Sequence, residues 1–311
     1  MTQNLTEMLS SRMPTWGTIG KPITNARSSQ EVLRQAGLDF KVAQQSLYTD
    51  GRLVEGFKAN VREDNKKVLG IVSNRYQVCQ NEEVYNFIEN LFQEGVKFES
   101  GGVLNGGKRC WLLAKLPNRY MINSEQVDPY ICFCTSHDGS LSLSVFMTPI
   151  RIVCSNTINL ALRDASRSWS SKHVGDMQYK LHEANQTLNS ADNYMNKLMR
   201  EIENLRKIKL ADTQVISLIQ NQLAPYPANA TAIQKKNIDS IREDMLTRYF
   251  EFPDLKPLPK NGYRFVSAIS DHATHASPLR ATANYQENLF MRTLEGNPLI
   301  DKSYEIIKAI A

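Results

Sequence analysis

The stretch with the most chemical potential runs from Pro149 to His173. It carries Arg151, Arg163, Arg167 and Lys172 against one acid, Asp164, with Ser155, Asn156, Thr157 and Asn159 set among them. Arginines interleaved with hydroxyls and amides are the usual makeup of phosphate-contacting surfaces, and Trp169 offers a flat face for an unpaired base. Ile158, Leu160 and Leu162 alternate and would anchor the backbone, leaving the polar members free. The competing structural reading is a strand-to-helix junction whose Asn and Ser side chains only cap backbone groups. A second basic point is Asn105-Gly106-Gly107-Lys108-Arg109. It joins two strand-like segments, so it is a turn tip with two cations. It lacks the following helix that completes a phosphate-cradling loop.

Other constellations fall short of catalysis. His272 and His275 are three apart, whereas zinc hydrolases of the His-Glu-x-x-His kind space them by four and place a base between. Cys132 and Cys134 share a strand face, but no second cysteine pair stands at finger or ribbon spacing. Neither a nucleophile elbow nor a Walker A sequence occurs. Ser136-His137-Asp138-Gly139-Ser140 has relay-type residues, yet adjacent positions on a tight turn cannot form a relay, so it reads as a hairpin turn. Catalytic residues, metal and cofactor are therefore all assigned as none. The lowest-ranked reading is a metal-dependent nuclease using His137, Asp138 and His173.

These residues need a scaffold, and the chain is long enough to supply one. It has 311 residues, 41% of them hydrophobic and 22% charged, with a net charge of +5. That composition is globular, and the mild basic excess permits contact with nucleic acid without demanding it. No apolar run reaches the roughly 18 to 20 residues of a membrane span. The N-terminus lacks the basic-then-apolar order of a secretory signal. Five scattered cysteines fit buried reduced thiols in a cytosolic protein.

Periodicity predicts an α+β fold, an antiparallel β-sheet of hairpins with a packed helix, followed by a helical C-terminal half. An N-terminal arm covers 1–47 and includes a short helix opening at Ser28 and closing at Gly37. A β-rich core domain covers 48–175, with hairpins turning at Asp64-Asn65-Lys66, at Asn105-Gly106-Gly107 and at Ser136 to Ser140. A helix from Asn81 to Gln93 lies between the first two. A helical region follows over 176–252, in which Leu181, Leu188, Met195, Leu198, Ile202 and Leu205 mark one long helix with a narrow apolar seam. Pro253 to Gly262 reads as a linker, and 253–311 forms a C-terminal helical segment.

Several motifs resemble the phage/plasmid-like protein family, whose shared domain has no assigned function. They include Val68 to Tyr76, Gly106 to Arg109, Ser136 to Gly139, Thr148 to Ala161, Arg167 to Trp169 and His173. The resemblance covers roughly residues 14 to 290 and implies a phage or plasmid gene product in the cytoplasm of a bacterial host. The order of hairpins, sheet and following basic helix is also similar to single-strand annealing proteins, which assemble as rings on single-stranded DNA. The expected function is thus binding of single-stranded DNA by a homo-oligomer, in an annealing or recombination role and without intrinsic catalysis. The expected contacts are Arg151, Arg163, Arg167, Lys172, Trp169, Asn156, Lys108 and Arg109. The alternative is an interaction protein whose partner belongs to a host defence or replication system, acting through the 176–208 helix. Neither reading involves a membrane.

Overall fold

The computed structural model describes residues 17, 19–85, 95–122, 125–151, 156–157, 160, 162, 167–177, 179–180, 183 and 191–310. Strand β1 (Lys21–Pro22) and helix α1 (Ser29–Ala36) precede β2 (Val42–Thr49), β3 (Arg52–Arg62) and β4 (Val68–Ser73). Helix α2 (Asn81–Tyr85) leads to β5 (Lys97–Leu104), β6 (Arg109–Lys115), β7 (Tyr120–Ile122), β8 (Glu125–Ser136) and β9 (Leu143–Arg151). Two short strands, β10 (Asn156–Thr157) and β11 (Ser168–Ser171), close the β-rich half. The helical half comprises α3 (Ala191–Lys207), α4 (Asp212–Ser217), α5 (Ala232–Glu251), α6 (Gly262–His275), α7 (Tyr285–Glu295) and α8 (Pro298–Lys308). A π-helical turn, Leu218–Leu223, continues α4. The α+β expectation therefore holds.

Local chemistry explains the sharpest boundaries. The Ser28 hydroxyl accepts from the Glu31 amide, and Gly37 ends α1 at φ 71°, a left-handed position open to glycine. Asn105, Gly106 and Gly107 all have positive φ and turn β5 into β6.

The larger sheet runs β1-β5-β6-β8-β9, and both β10 and β11 pair with the far edge of β9. Its central strands are covered on both faces, so side chains alternate between two cores. Cys110, Leu112, Ala114, Ile131, Phe133 and Val145 enter the core beneath α1. Trp111, Leu113, Tyr130, Cys132, Cys134 and Phe146 enter the opposite one, closed by Phe290, Met291 and Leu294 of α7. Double burial is why these strands read as continuous apolar runs rather than alternating ones. Cys79, Cys110, Cys132 and Cys134 are buried free thiols, and Cys154 lies outside the described residues.

Four expectations need correction. The strands do not form one sheet: β2, β3 and β4 make a separate three-stranded sheet. Its Val42 and Leu69 pack into the core beneath α1, so it is joined to the larger sheet by side chains rather than by backbone pairing. Secondly, β2 begins at Val42, so the expected boundary at residue 47 cuts a strand. Thirdly, the 149–173 segment is more than a junction: it holds β10 and β11 before helical residues begin at Met177. Asn156 pairs back on Arg151 and Trp169 on Val145, because β9 leaves an open edge that the returning chain satisfies. Finally, the proline-rich stretch after α5 is no free linker. Phe252 and Leu255 are buried, and Arg264 donates to the carbonyls of Tyr249 (2.9 Å), Lys256 (3.1 Å) and Leu258 (2.9 Å).

Helices α3, α4 and α5 fall in the expected helical region over 176–252, and α6, α7 and α8 in the expected C-terminal helical segment over 253–311. The long seam helix is helical at the described residues Met177, Tyr179, Lys180 and Glu183 and again from Ala191, and the rest of 178–190 lies outside the described residues. The same holds for the end of the helix that begins at Asn81. No described helix is long and apolar enough to cross a membrane.

Helices α5 and α6 are clamped by an ionic cluster. Arg248, 2% exposed, sits between Asp244 on its own helix (2.6 Å) and the fully buried Asp271 on α6. His272 Nδ1 lies 2.5 Å from Asp244, and His275 Nδ1 lies 3.1 Å from Asp271. Burial pushes Asp244 up, but hydrogen bonds from His272 and Arg248 outweigh it and hold the carboxyl at about 2. Removing one partner strands a buried charge, so Arg248→Met should cost about 3–5 kcal/mol in urea unfolding. Adding Asp271→Asn should recover part of that loss. Equal loss in both variants would show that the clamp acts by packing alone.

Candidate nucleic-acid interface

The expected contact residues sit mostly at the ends of strands, where turns carry them. Lys108 and Arg109 leave the β5–β6 turn. The Lys108 carbonyl accepts from the His137 amide (2.7 Å), and Arg109 Nε donates to Ser140 Oγ (2.9 Å). This ties the β5–β6 turn to the β8–β9 turn. On the other side of the latter, Lys172 is exposed and lines a cleft of about 260 Å³ with Ser73, Tyr76, Gly139, Ser142 and His173. The structure thus brings Lys108, Arg109 and Lys172 around one turn.

Two further cations join this rim and escaped the sequence reading. The Lys67 ammonium lies where a Cβ on Gly106 would sit, and Lys66 beside it is exposed. Both belong to the β3–β4 turn, which was read only as a turn. A pair of lysines at a hairpin tip was the available signal. Arg62 lies nearby but is committed: it pairs with Asp64 at 2.7 Å and covers the Phe40 ring at 3.8 Å. Glu287 of α7 accepts from the Asn105 amide (3.2 Å), an acid set beside the same turn.

The other expected contacts fall elsewhere. Arg167 donates to the carbonyls of Leu294 and Glu295, so its guanidinium neutralises the C-terminal end of α7. Trp169 is half-buried on β11 and packs against the core beneath α1. The backbones of Arg151 and Asn156 pair with each other across β9 and β10. Arg163 lies outside the described residues.

A buried polar network holds the rim in place. Asn60 Nδ2 donates to the His137 carbonyl (2.6 Å), and Asn81 Nδ2 donates to the Leu38 carbonyl (2.9 Å). The second bond turns Asn81 Oδ1 toward His137 Nε2, 3.0 Å away, so His137 donates from Nε2 and keeps its lone pair on Nδ1. Tyr76 donates to the Ser136 carbonyl and stacks on His173, ring centroids 4.9 Å apart. His173 Nε2 meets Thr135 Oγ1 at 3.3 Å, and its carbonyl accepts from the Gln77 amide at 2.8 Å. The β4 backbone meets this turn closely at Gly70, where a Cβ would collide with the Asp138 backbone. Glycine there lets the two sheets approach.

Burial pulls both histidines down to about 4, with each other's proximity adding to the effect at His137. They are neutral structural groups at neutral pH. Among the described residues, no three His, Cys, Asp or Glu side chains are arranged to hold a metal.

The fold and the rim define an α+β protein built of two antiparallel sheets and a helical half, with a cationic edge at the turn tips. By sequence the chain belongs to the family described as domain of unknown function (DUF932), whose model matches residues 68–293. No curated protein and no solved structure matches it.

The two histidines set a pH dependence. Their folded values lie below the ordinary 6.5, so the unfolded chain takes up protons that the folded one refuses. The stability they protect is complete above 6.5 and is lost as pH falls toward about 4. The thermal midpoint should drop across that window, and His173→Asn should make the drop shallower. An unchanged slope in the variant would show that His173 does not contribute.

Proposed function

We propose that this chain binds single-stranded nucleic acid at the cationic rim and carries out no chemistry of its own. The role would be of the annealing or recombination type, as in phage and plasmid systems, with single-stranded DNA as the partner and a homo-oligomer as the working form. One observation carries the reading: Lys67, Lys108, Arg109 and Lys172 come from two separate turns and the end of β11, yet gather around a third turn, β8–β9. Phosphates spaced along a strand are matched by cations spaced along an edge. Turn tips held by backbone hydrogen bonds present those cations without the ordering cost of a loose loop.

The competing reading, an interaction protein aimed at a host system, was based on the 176–208 helix. In its described part Tyr194, Met195, Leu198, Ile202 and Leu205 are buried in the protein's own core. Over Ala191–Lys207 the seam is therefore occupied by the protein's own core.

Binding should appear as a salt-sensitive anisotropy change with a fluorescent oligo-dT at micromolar protein. The triple variant Lys108→Ala, Arg109→Ala, Lys172→Ala should weaken it and lower the slope of log K against log salt by about 2, from roughly 0.7 per single-strand phosphate contact. Absence of any salt-sensitive binding by the wild-type chain would end the proposal.

A further inference from the structure

Three separate pieces of chain wall the cleft beside Lys172. The end of β4 gives Ser73 and, just after it, Tyr76. The β8–β9 turn gives Gly139, Leu141 and Ser142. The chain after β11 gives Lys172, His173 and Val174. These walls are fixed to one another and to their own turns. The Tyr76 amide donates to the Ser73 carbonyl (2.9 Å), and the Gln77 amide to the His173 carbonyl (2.8 Å). Ser136 Oγ donates to the Leu141 carbonyl (2.8 Å), and Lys180 Nζ to the Lys172 carbonyl (2.6 Å). Tyr76 and His173, both buried, stack against each other at the base. A cleft already formed binds without the cost of ordering its walls.

The lining selects its occupant. Lys172, exposed at the lip, is the one charged side chain among the described residues of the cleft at neutral pH. Val174, 46% exposed, and half-buried Leu141 give apolar wall. Among the described residues, the Ser73 and Ser142 hydroxyls have no hydrogen-bond partner. Asp138 stands next to Gly139, with its Oδ1 accepting from the Ser140 amide (2.9 Å), and disfavours an anion deep in the turn. Outside, Arg109 is bonded to Ser140, between Gly139 and Leu141. The cleft therefore fits a neutral group with polar edge atoms, attached to an anion that stays at the lip. About 260 Å³ falls below the roughly 300–1,000 Å³ of sites for drug-sized ligands, so the group is small. An unpaired base on its phosphate has this form, and bases of single strands are read when they turn out of the stack and present their edges.

We infer that this cleft receives one unpaired base of the bound strand, with Ser73 and Ser142 meeting its polar edge and Lys172 holding the adjoining phosphate. This rests on the proposed function and adds a base contact to a rim that otherwise holds only phosphates.

The test compares, on the full chain, oligo-dT with a strand of equal length that is abasic throughout. Both keep every phosphate, so the rim holds either. Wild type should bind oligo-dT about tenfold more tightly than the abasic strand. Ser142→Leu, which fills the cleft with an apolar side chain, should make the two affinities converge while leaving the abasic affinity and the salt slope unchanged. Ser73→Ala, at an exposed position that the fold does not need, should weaken oligo-dT alone by about two- to tenfold. It carries the test if Ser142→Leu fails to keep a thermal midpoint near wild type. Lys172→Ala should instead weaken both strands and lower the salt slope by about 0.7. If wild type binds both strands equally, no base is held and the inference falls while the rim reading survives. It falls too if the folded serine variants keep the full preference for oligo-dT, or weaken both strands alike. Failure of wild type to bind either strand would overturn the proposed function itself.

Discussion

The central strands of the large sheet are buried on both faces, and most of the architecture follows from satisfying that. Leu112 and Leu113 are adjacent on β6 yet belong to different cores, one under α1 and the other under α7. Each core needs a cover, and the chain provides covers from distant parts of the sequence. Backbone pairing alone would leave both apolar faces wet, at about 25 cal/mol for every Å² exposed. The helical half is therefore not an appendage. Met147 and Val127 of the sheet share a core with Tyr194, Leu198 and Phe265 of the helices.

A doubly covered sheet has few surfaces left on which to place function. Its faces are occupied, so the chain's accessible chemistry is pushed to strand ends and to the smaller sheet, where Tyr48, Leu53, Phe57, Val68 and Ile71 are exposed. The turns at the strand ends are held by buried groups that do not themselves contact solvent. Asn60, Asn81 and His137 form a relay of hydrogen bonds linking α1, the small sheet and the β8–β9 turn. Neutral histidine suits this role because it donates at one nitrogen and needs no counter-ion.

Arginine shows the opposite division of labour. Arg167, the expected anion contact, and Arg248 and Arg264 in the helical half are each spent on the fold. Arg264 gathers the carbonyls of a non-helical turn, Arg167 terminates α7, and Arg248 bridges two carboxylates. Guanidinium's several donors make it good at closing backbone that lacks regular partners. The cations left at the rim are mainly lysines, which tolerate exposure and hold no fixed geometry.

Local signals were legible from the residues themselves. Ser28 and Gly37 bound α1, Asn105-Gly106-Gly107 turned β5 into β6, and the spacing of Leu198, Ile202 and Leu205 marked a helix, because capping, positive φ and periodicity act within a few residues. The Lys108–Arg109 turn tip was likewise visible. What only the tertiary structure decided was which groups remain free. Nothing local shows that Arg167 will meet a helix end more than a hundred residues away, or that Trp169 will lie half-buried on β11, paired with β9. Nor does sequence reveal that the strands divide into two sheets. Pairing and burial depend on contacts between distant segments, and those contacts also bring Lys67 from one hairpin against Gly106 of another. Of the basic 149–173 segment, the fold engages Arg167 and half-buries Trp169, while exposed cations gather at the turns.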